Sequence, residues 1–234
     1  MRAWIAALLV PAAALAAEPQ LPEINVRYSV TYTGIGLGEA TILLKKQGGE
    51  NCYRYESITD PIWLVVMLYG APHETSLFCV ADGKVVAKHF EFVLPGREKD
   101  AFKLDFDPVA HTVKALPKNV VRDAPPDVQD RFGLQQAVRL WVIAHVNDKD
   151  PGTVEFPCAD DRRVVKYKFA ITGHEAVDTP AGHFNAVRVE RIDDPKKAMK
   201  FWLAPERDYM PVKVDIKGKV DIHMALLPPR SSRE

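Results

Sequence analysis

Histidines, paired carboxylates and cysteines are the residues of this chain that could carry chemistry. The seven histidines are His73, His89, His111, His145, His174, His183 and His223. A zinc site needs three or four converging ligands. His73-Glu74 and His174-Glu175 start like H-E-x-x-H, but neither has the second histidine, and no helical pattern carries them. Only His174, Glu175, Asp178 and His183 gather around one turn, where solvated turn residues are the simpler reading. Glycosidase chemistry needs two carboxylates facing one cleft. The pairs Asp160-Asp161, Asp193-Asp194 and Glu206 with Asp208 sit at turn-like positions beside Lys or Arg, and their spacing requires no common cleft. Cys158 is followed by Ala159-Asp160-Asp161. Carboxylates there raise a thiol pKa rather than lower it, which disfavours a nucleophile. No G-x-S-x-G elbow occurs. Gly34-x-Gly36-x-Gly38 lies between two strand patterns, whereas a phosphate loop opens a helix. These residues therefore yield no catalytic group, no metal site and no cofactor, and the expectation is a non-enzyme.

The apolar residues say more. Pro61 to Tyr69 reads P-I-W-L-V-V-M-L-Y, apolar and without alternation. Periodicity alone leaves a buried strand, a short buried helix and an apolar loop open. Trp63, Met67 and Tyr69 lie in it, while Trp141 sits in a helical pattern and Trp202 in a strand pattern. Aromatics and methionine suit an adaptable apolar pocket, so these five are candidate ligand-lining residues. They suit a packed core equally well.

The elements that must position them follow from patterning. Tyr28, Val30 and Tyr32 alternate with Arg27, Ser29, Thr31 and Thr33, the signature of a half-buried strand. Glycine-rich sequence at 34–38 turns the chain into a second strand at 39–45, and a third covers 52–59. Asp82-Gly83 predicts a hairpin between 73–80 and 84–93, and Asp107-Pro108 another between 102–106 and 111–116. Residues 117–127, with Pro117, Pro125 and Pro126, read as a loop. One strong helix follows, capped by Asp127 or Asp130 and ending near Asn147, with Leu134, Val138 and Trp141 as its stripe and Ala137 and Ala144 beside them. Strand patterns resume at 165–172, 185–191, 199–203, 212–217 and 220–226, with Thr179-Pro180-Ala181-Gly182 as a turn.

About eleven strands at about 4.8 Å spacing make a sheet roughly 50 Å across. A helix of about 18 residues is only about 27 Å long. It cannot cover such a sheet, which must curl, close or leave an apolar concavity. The expected fold is mainly β, a large curled antiparallel sheet forming a half-barrel or open barrel, with the one main α-helix packed on its concave side. A curled sheet with an incompletely filled inside is a natural container for an apolar ligand. A fully packed interior holding nothing is the alternative.

The first residues look like a secretory signal. Arg2 gives the basic start, Trp4 to Val10 is apolar, and Ala14-Leu15-Ala16 fits a cleavage site. An anchor helix is the competing reading, but about 16 apolar residues broken by Pro11 span a bilayer poorly. The expected layout is a signal peptide at 1–17, a tether at 18–23, one β domain at 24–227 and a disordered tail at 228–234. No later stretch approaches transmembrane length, so no transmembrane segment is expected in the mature chain. Export implies an oxidising compartment. Of Cys52, Cys79 and Cys158, the first two lie in strand-like sequence and are favoured as a disulfide, with three buried free thiols as the alternative. Equal numbers of basic and acidic residues, 31 each, argue against a broad nucleic-acid or anionic-membrane partner.

Several segments together resemble the bacterial family DUF3108. They are Tyr28-Ser29-Val30-Thr31-Tyr32 with Gly34 to Thr41, Val165 to Phe169 before Gly173-His174-Glu175, then Thr179 to Phe184, Val187 to Arg191, Phe201-Trp202-Leu203-Ala204-Pro205 and Pro211-Val212-Lys213-Val214. The resemblance implies an exported bacterial protein without catalytic residues to carry over. It also implies a sheet similar to the half-barrels of lipoprotein carriers, whose concave face holds acyl chains. The functional expectation is a non-enzymatic periplasmic protein holding a lipid or acylated partner. An envelope structural or protein-interaction module is the alternative, and an envelope polysaccharide hydrolase stands behind both.

Overall fold

The computed structural model describes residues 20–218 and 221–230. The expected signal peptide at 1–17 and the last four residues of the expected tail lie outside them. Among the described residues the chain forms one sheet. Its first eight strands are β1 (Ile24–Tyr32), β2 (Ile35–Lys46), β3 (Cys52–Pro61), β4 (His73–Ala81), β5 (Lys84–Val93), β6 (Phe102–Asp107), β7 (Thr112–Leu116) and β8 (Val120–Asp123). The other six are β9 (Thr153–Ala159), β10 (Val164–Thr179), β11 (Gly182–Arg191), β12 (Met199–Ala204), β13 (Met210–Ile216) and β14 (Ile222–Leu226). Helix α1 (Trp63–Tyr69) joins β3 to β4, and α2 (Arg131–His145) joins β8 to β9.

The 14 strands run in the order β8 to β1, then β14 down to β9. The fold is thus two antiparallel meanders joined along β1 and β14, where Tyr28 faces Leu226 and Tyr32 faces Ile222. Tight turns set the register. Thr33-Gly34 and Asp82-Gly83 have positive φ at both positions, as two-residue hairpins require. The first of these places the turn before Ile35, so Gly36 and Gly38 belong to β2 rather than to the turn expected at 34–38.

The sheet curls but does not close by pairing β8 with β9. The chain just before α2 spans the gap instead. The Gln129 N–H donates to Pro157 O at 2.9 Å, and the Ala159 N–H donates to Gln129 O at 2.8 Å. Lys118 reaches Asp161 at 2.9 Å across the same seam, and Arg122 donates to the Asp161 carbonyl at 3.1 Å. The expectation of about eleven strands fell short at β8 and β9, which are the two edges. Pro117 and Pro125 flank β8 and Pro157 lies within β9, and proline is tolerated at edges because no ladder bond is lost there.

Inside the curl lies α2. Asp130 caps it, its carboxylate accepting from the N–H groups of Phe132 (2.8 Å) and Gly133 (3.0 Å). Leu134, Val138 and Val142 pack with Phe169, Val189, Phe201 and Leu203 of β10–β12. Phe132 and Leu140 belong to the cluster of Tyr28, Tyr55 and Phe90 on β1, β3 and β5. The Phe132 ring stacks on Tyr55 with centroids 4.6 Å apart. The buried stripe corrects the sequence reading at its far end: Val142 is buried, Trp141 half-buried and Ala144 exposed. Leu21, in the stretch expected to tether the domain, is buried and donates its N–H to the Tyr53 hydroxyl at 2.9 Å.

Cys52 and Cys79 face each other across β3 and β4 and form a disulfide. Cys158 is free and buried. Burial pushes its thiol up to about 12.

Candidate functional site

The interior is filled where α2 lies and open at one end. On β1, β2, β3 and β14 the inward positions continue past the packed core. Tyr28 pairs with Ala40 and Leu226, both buried, and the next inward positions are Val30, Gly38 and Met224, then Tyr32 and Ile222. On β3 the matching inward residues are Thr59 and Pro61, opposite Ala40 and Gly38. Together with Leu37, Val65 and Tyr69 they wall a cavity of about 380 Å³. That size is at the lower end of small-ligand sites.

Two polar groups of the wall have partners within the protein. The Thr59 hydroxyl donates to Pro72 O at 2.8 Å, and Glu39 pairs with Arg27 at 2.6 Å. Gly38 is required there. A Cβ at this position would fall 2.3 Å from the Asp60 carbonyl oxygen, and φ is +134°. The bare backbone lets β3 end close against β2 before the chain rises into α1.

Helix α1 stands at this opening. The Ile62 N–H extends the β2 ladder to Leu37 O at 2.8 Å, which fixes where the helix starts. At its other end the Gly70 N–H donates to Val66 O, and the Arg97 guanidinium donates to Leu68 O at 3.1 Å. Val65 and Tyr69 are four residues apart, so they share one side of the helix, the cavity side. Trp63 and Met67 share another side and are 75% and 66% exposed. No α1 residue is buried. Of the nine apolar residues from Pro61, seven (Trp63–Tyr69) therefore form a helix, but an exposed one rather than the short buried helix held open from the sequence.

The five sequence-predicted lining residues are not brought together. Tyr69 lines the mouth cavity. Trp63 and Met67 point outward from the same helix. Trp141 lines a separate hollow with Val154, Phe156 and His145 at the other end of α2. Trp202 is buried on the outer face of β12, where Lys213 lies 4.4 Å over its ring and Glu175 accepts from its indole N–H. Val30, Thr59 and Ile222 went unrecognised as lining residues. Their signal was present in the alternation of β1 and β14, which carries the inward face beyond the length α2 can fill.

The groups with chemistry-bearing side chains have other partners. His183 pairs with Asp178 at 2.8 Å, while Glu175 pairs with Arg188 and Trp202, so the suggested metal cluster does not converge. Asp160 accepts from the N–H groups of Arg162 and Arg163, Asp193 holds Arg191, and Asp194 caps Lys196. Shifted acidities gather around the start of α2. Burial raises Asp130 and Glu74 above the usual carboxylate range and holds Arg139 below its ordinary value. A buried shifted carboxylate can mark a catalytic site. Here both Asp130 oxygens are occupied, by the two cap N–H groups and by the Ser76 hydroxyl at 2.7 Å, so the group is a cap.

A family model described as a protein of unknown function, DUF3108, matches residues 27–226. Among solved structures, the chain resembles the crystal structure of a beta-barrel-like protein of domain of unknown function DUF1849 from Brucella abortus. The TM-score is 0.57 at 16% identity, over 91% of this chain and 98% of that one. At that identity the likeness shows the fold alone. Among curated proteins none matches the chain.

Proposed function

The chain belongs to the DUF3108 family, and we propose that it is an exported, periplasmic, non-enzymatic carrier that holds an apolar or lipid-like ligand at the open end of its curled sheet. The observation that carries this reading is the mouth cavity of about 380 Å³ walled by Val30, Thr59, Val65, Tyr69 and Ile222. Its walls offer hydrophobic contact and few free polar groups, which suits an acyl chain better than a sugar or a nucleotide. The signal-peptide pattern at 1–17 and the Cys52–Cys79 disulfide support an oxidising compartment. The site lies at the end of the interior, because α2 occupies the rest.

A fluorescent fatty-acid probe titrated into the purified protein tests this. The parent is expected to show saturable uptake. Val30→Trp, which fills the cavity, should weaken uptake by ~10-fold or more, about 1.4 kcal/mol, with the melting temperature recorded to confirm folding. Absence of saturable uptake, or uptake indifferent to the filled cavity in a folded variant, would sink the reading. Native mass spectrometry after gentle purification gives a second readout, since a retained lipid is expected.

A second reading, an envelope interaction module, has one observation in its favour. Edge strand β8 is four residues long and leaves Val120 and Val121 exposed on opposite faces. An extended segment of another chain can add to such an edge. Periplasmic crosslinking from position 121 that captures a discrete protein, in a preparation free of lipid, would favour it over the carrier.

A further inference from the structure

We propose that α1 is a membrane-docking element, dipping into the lipid–water interface so that the mouth cavity opens toward the bilayer. The inference rests on the carrier reading above and adds where the ligand is exchanged. Its first support is the make-up of the segment. Ile62 to Tyr69 holds eight consecutive apolar residues with no charged or amide side chain, and all but Val65 are exposed. Scattered exposed hydrophobics are ordinary, but a contiguous set marks an interaction surface. Trp63 and Tyr69 stand on it, and tryptophan and tyrosine are the residues that settle at a membrane interface.

The second support is shape and size, which decide between occupants. A stable protein interface buries about 800 Å² on each partner. A helix of seven residues is about 10 Å long. Its outward side is far too small to seat a second copy or a protein partner alone. A bilayer needs no matching shape, and each side chain entering it gains independently. The helix also lacks a side-chain cap and has no acidic residue in its first turn or basic residue in its last. Nothing in its sequence adapts it to water beyond its attachment at Leu37 and Arg97.

Continuity is the third support. Val65 and Tyr69 face the cavity while Trp63 and Met67 face outward on the same two turns. A lipid-like ligand leaving the cavity would pass directly from the inner side of α1 to its outer side. Residues Ile62 to Tyr69 carry no charged side chain, so the docking rests on hydrophobic contact and neutral lipid should suffice.

The experiment compares the full chain with the double variant Trp63→Ser/Met67→Ser on phosphatidylcholine vesicles, by flotation and by quenching with bromine-labelled acyl chains. Trp63→Phe separates Trp63 from the other tryptophans in the quenching signal. The parent is expected to float, with Trp63 quenched, and the double variant to lose at least ~10-fold in vesicle affinity. Fatty-acid probe uptake from solution should be the same in both. Flotation equal in parent and double variant, with probe uptake intact, would overturn the docking and leave the carrier standing. Sedimentation showing that the parent self-associates and the double variant does not, with no vesicle binding by either, would overturn it in favour of a second copy. Probe uptake lost by the parent while α1-dependent flotation persists would support the docking and overturn the reading of the cavity.

Discussion

The two α-helices among the described residues differ in make-up and end in places opposite to what that make-up suggests. Helix α2 has a polar share that includes Arg131, Gln135, Gln136 and Arg139, yet nine of its 15 residues are buried. Helix α1 is apolar from end to end and buries none of its 7. Apolar content alone thus does not decide burial here. Length, capping and connection decide it. Helix α2 connects the two edge strands β8 and β9 in sequence and is fixed by Asp130 at its start. Helix α1 is a two-turn insertion between adjacent hairpin strands, held only at its two ends. Among the polar residues inside, Arg139 donates to Asp208 O at 2.9 Å and to Gln136 at 3.3 Å, while its Nη2 is buried without a partner. An apolar helix without a burial site inside its own chain is therefore the better pointer to an external partner.

The contrast can be broken first at α2. Phe132 stacks on Tyr55 and lies near Phe90, with centroids 6.2 Å apart. Phe132→Ala should remove about 3–5 kcal/mol of unfolding free energy, the usual cost of emptying an aromatic core site. Urea denaturation measures it. A loss under about 1 kcal/mol would mean that α2 is not the packed centre described here.

The cap gives the next effect and a pH signature. Asp130→Ala should cost about 2 kcal/mol, since it frees two cap N–H groups and the Ser76 hydroxyl. Asp130→Asn keeps a capping oxygen and should cost about 1 kcal/mol or less. Burial raises the Asp130 carboxyl in the folded protein above its unfolded value. The folded state therefore holds that proton more tightly. Its contribution is fully present below the unfolded pKa and is lost as pH rises through the folded one. Glu74 is raised for the same first reason and acts in the same direction. The advantage of the parent over Asp130→Asn should thus be greatest near pH 4 and shrink toward pH 7. Thermal melts at both values check the sign, and an advantage that grows with pH would refute the assignment.

Much of this contrast was legible in the sequence, and the rest was not for physical reasons. Strict alternation in β1, β10 and β12 and the 3.6-residue stripe of α2 report periods that only one structure satisfies. The curled sheet followed from the mismatch between many strands and one helix. Edge strands β8 and β9 were hidden because an edge needs only half its ladder and so tolerates proline. The site was hidden for a different reason. Trp63, Met67, Tyr69, Trp141 and Trp202 were selected by residue type, but enclosure is a property of position. Trp202 illustrates this: an aromatic on the outward face of a strand is still covered, by the Lys213 stem and Glu175. Val30 and Ile222, unremarkable as types, line the opening because their strands outrun α2.

The smallest expected effect sharpens the comparison most. Trp63→Ser with Met67→Ser removes two large exposed apolar groups of α1, yet together they should change the unfolding free energy by less than about 1 kcal/mol. The reason is quantitative. Fully burying a methionine contributes about 1.5–3 kcal/mol relative to leaving it in water. Met67 and Trp63 remain 66% and 75% exposed, so most of that contribution is absent from the folded chain. Serine lowers helix propensity by a few tenths of a kcal/mol at most per site. Val65→Ser, on the half-buried cavity side, should cost more than either outward change although it deletes a smaller side chain. Chemical denaturation of the three variants orders them. If the outward pair proves the costlier, α1 is packed against something within its own chain, and it ceases to be the free apolar surface that distinguishes it from α2.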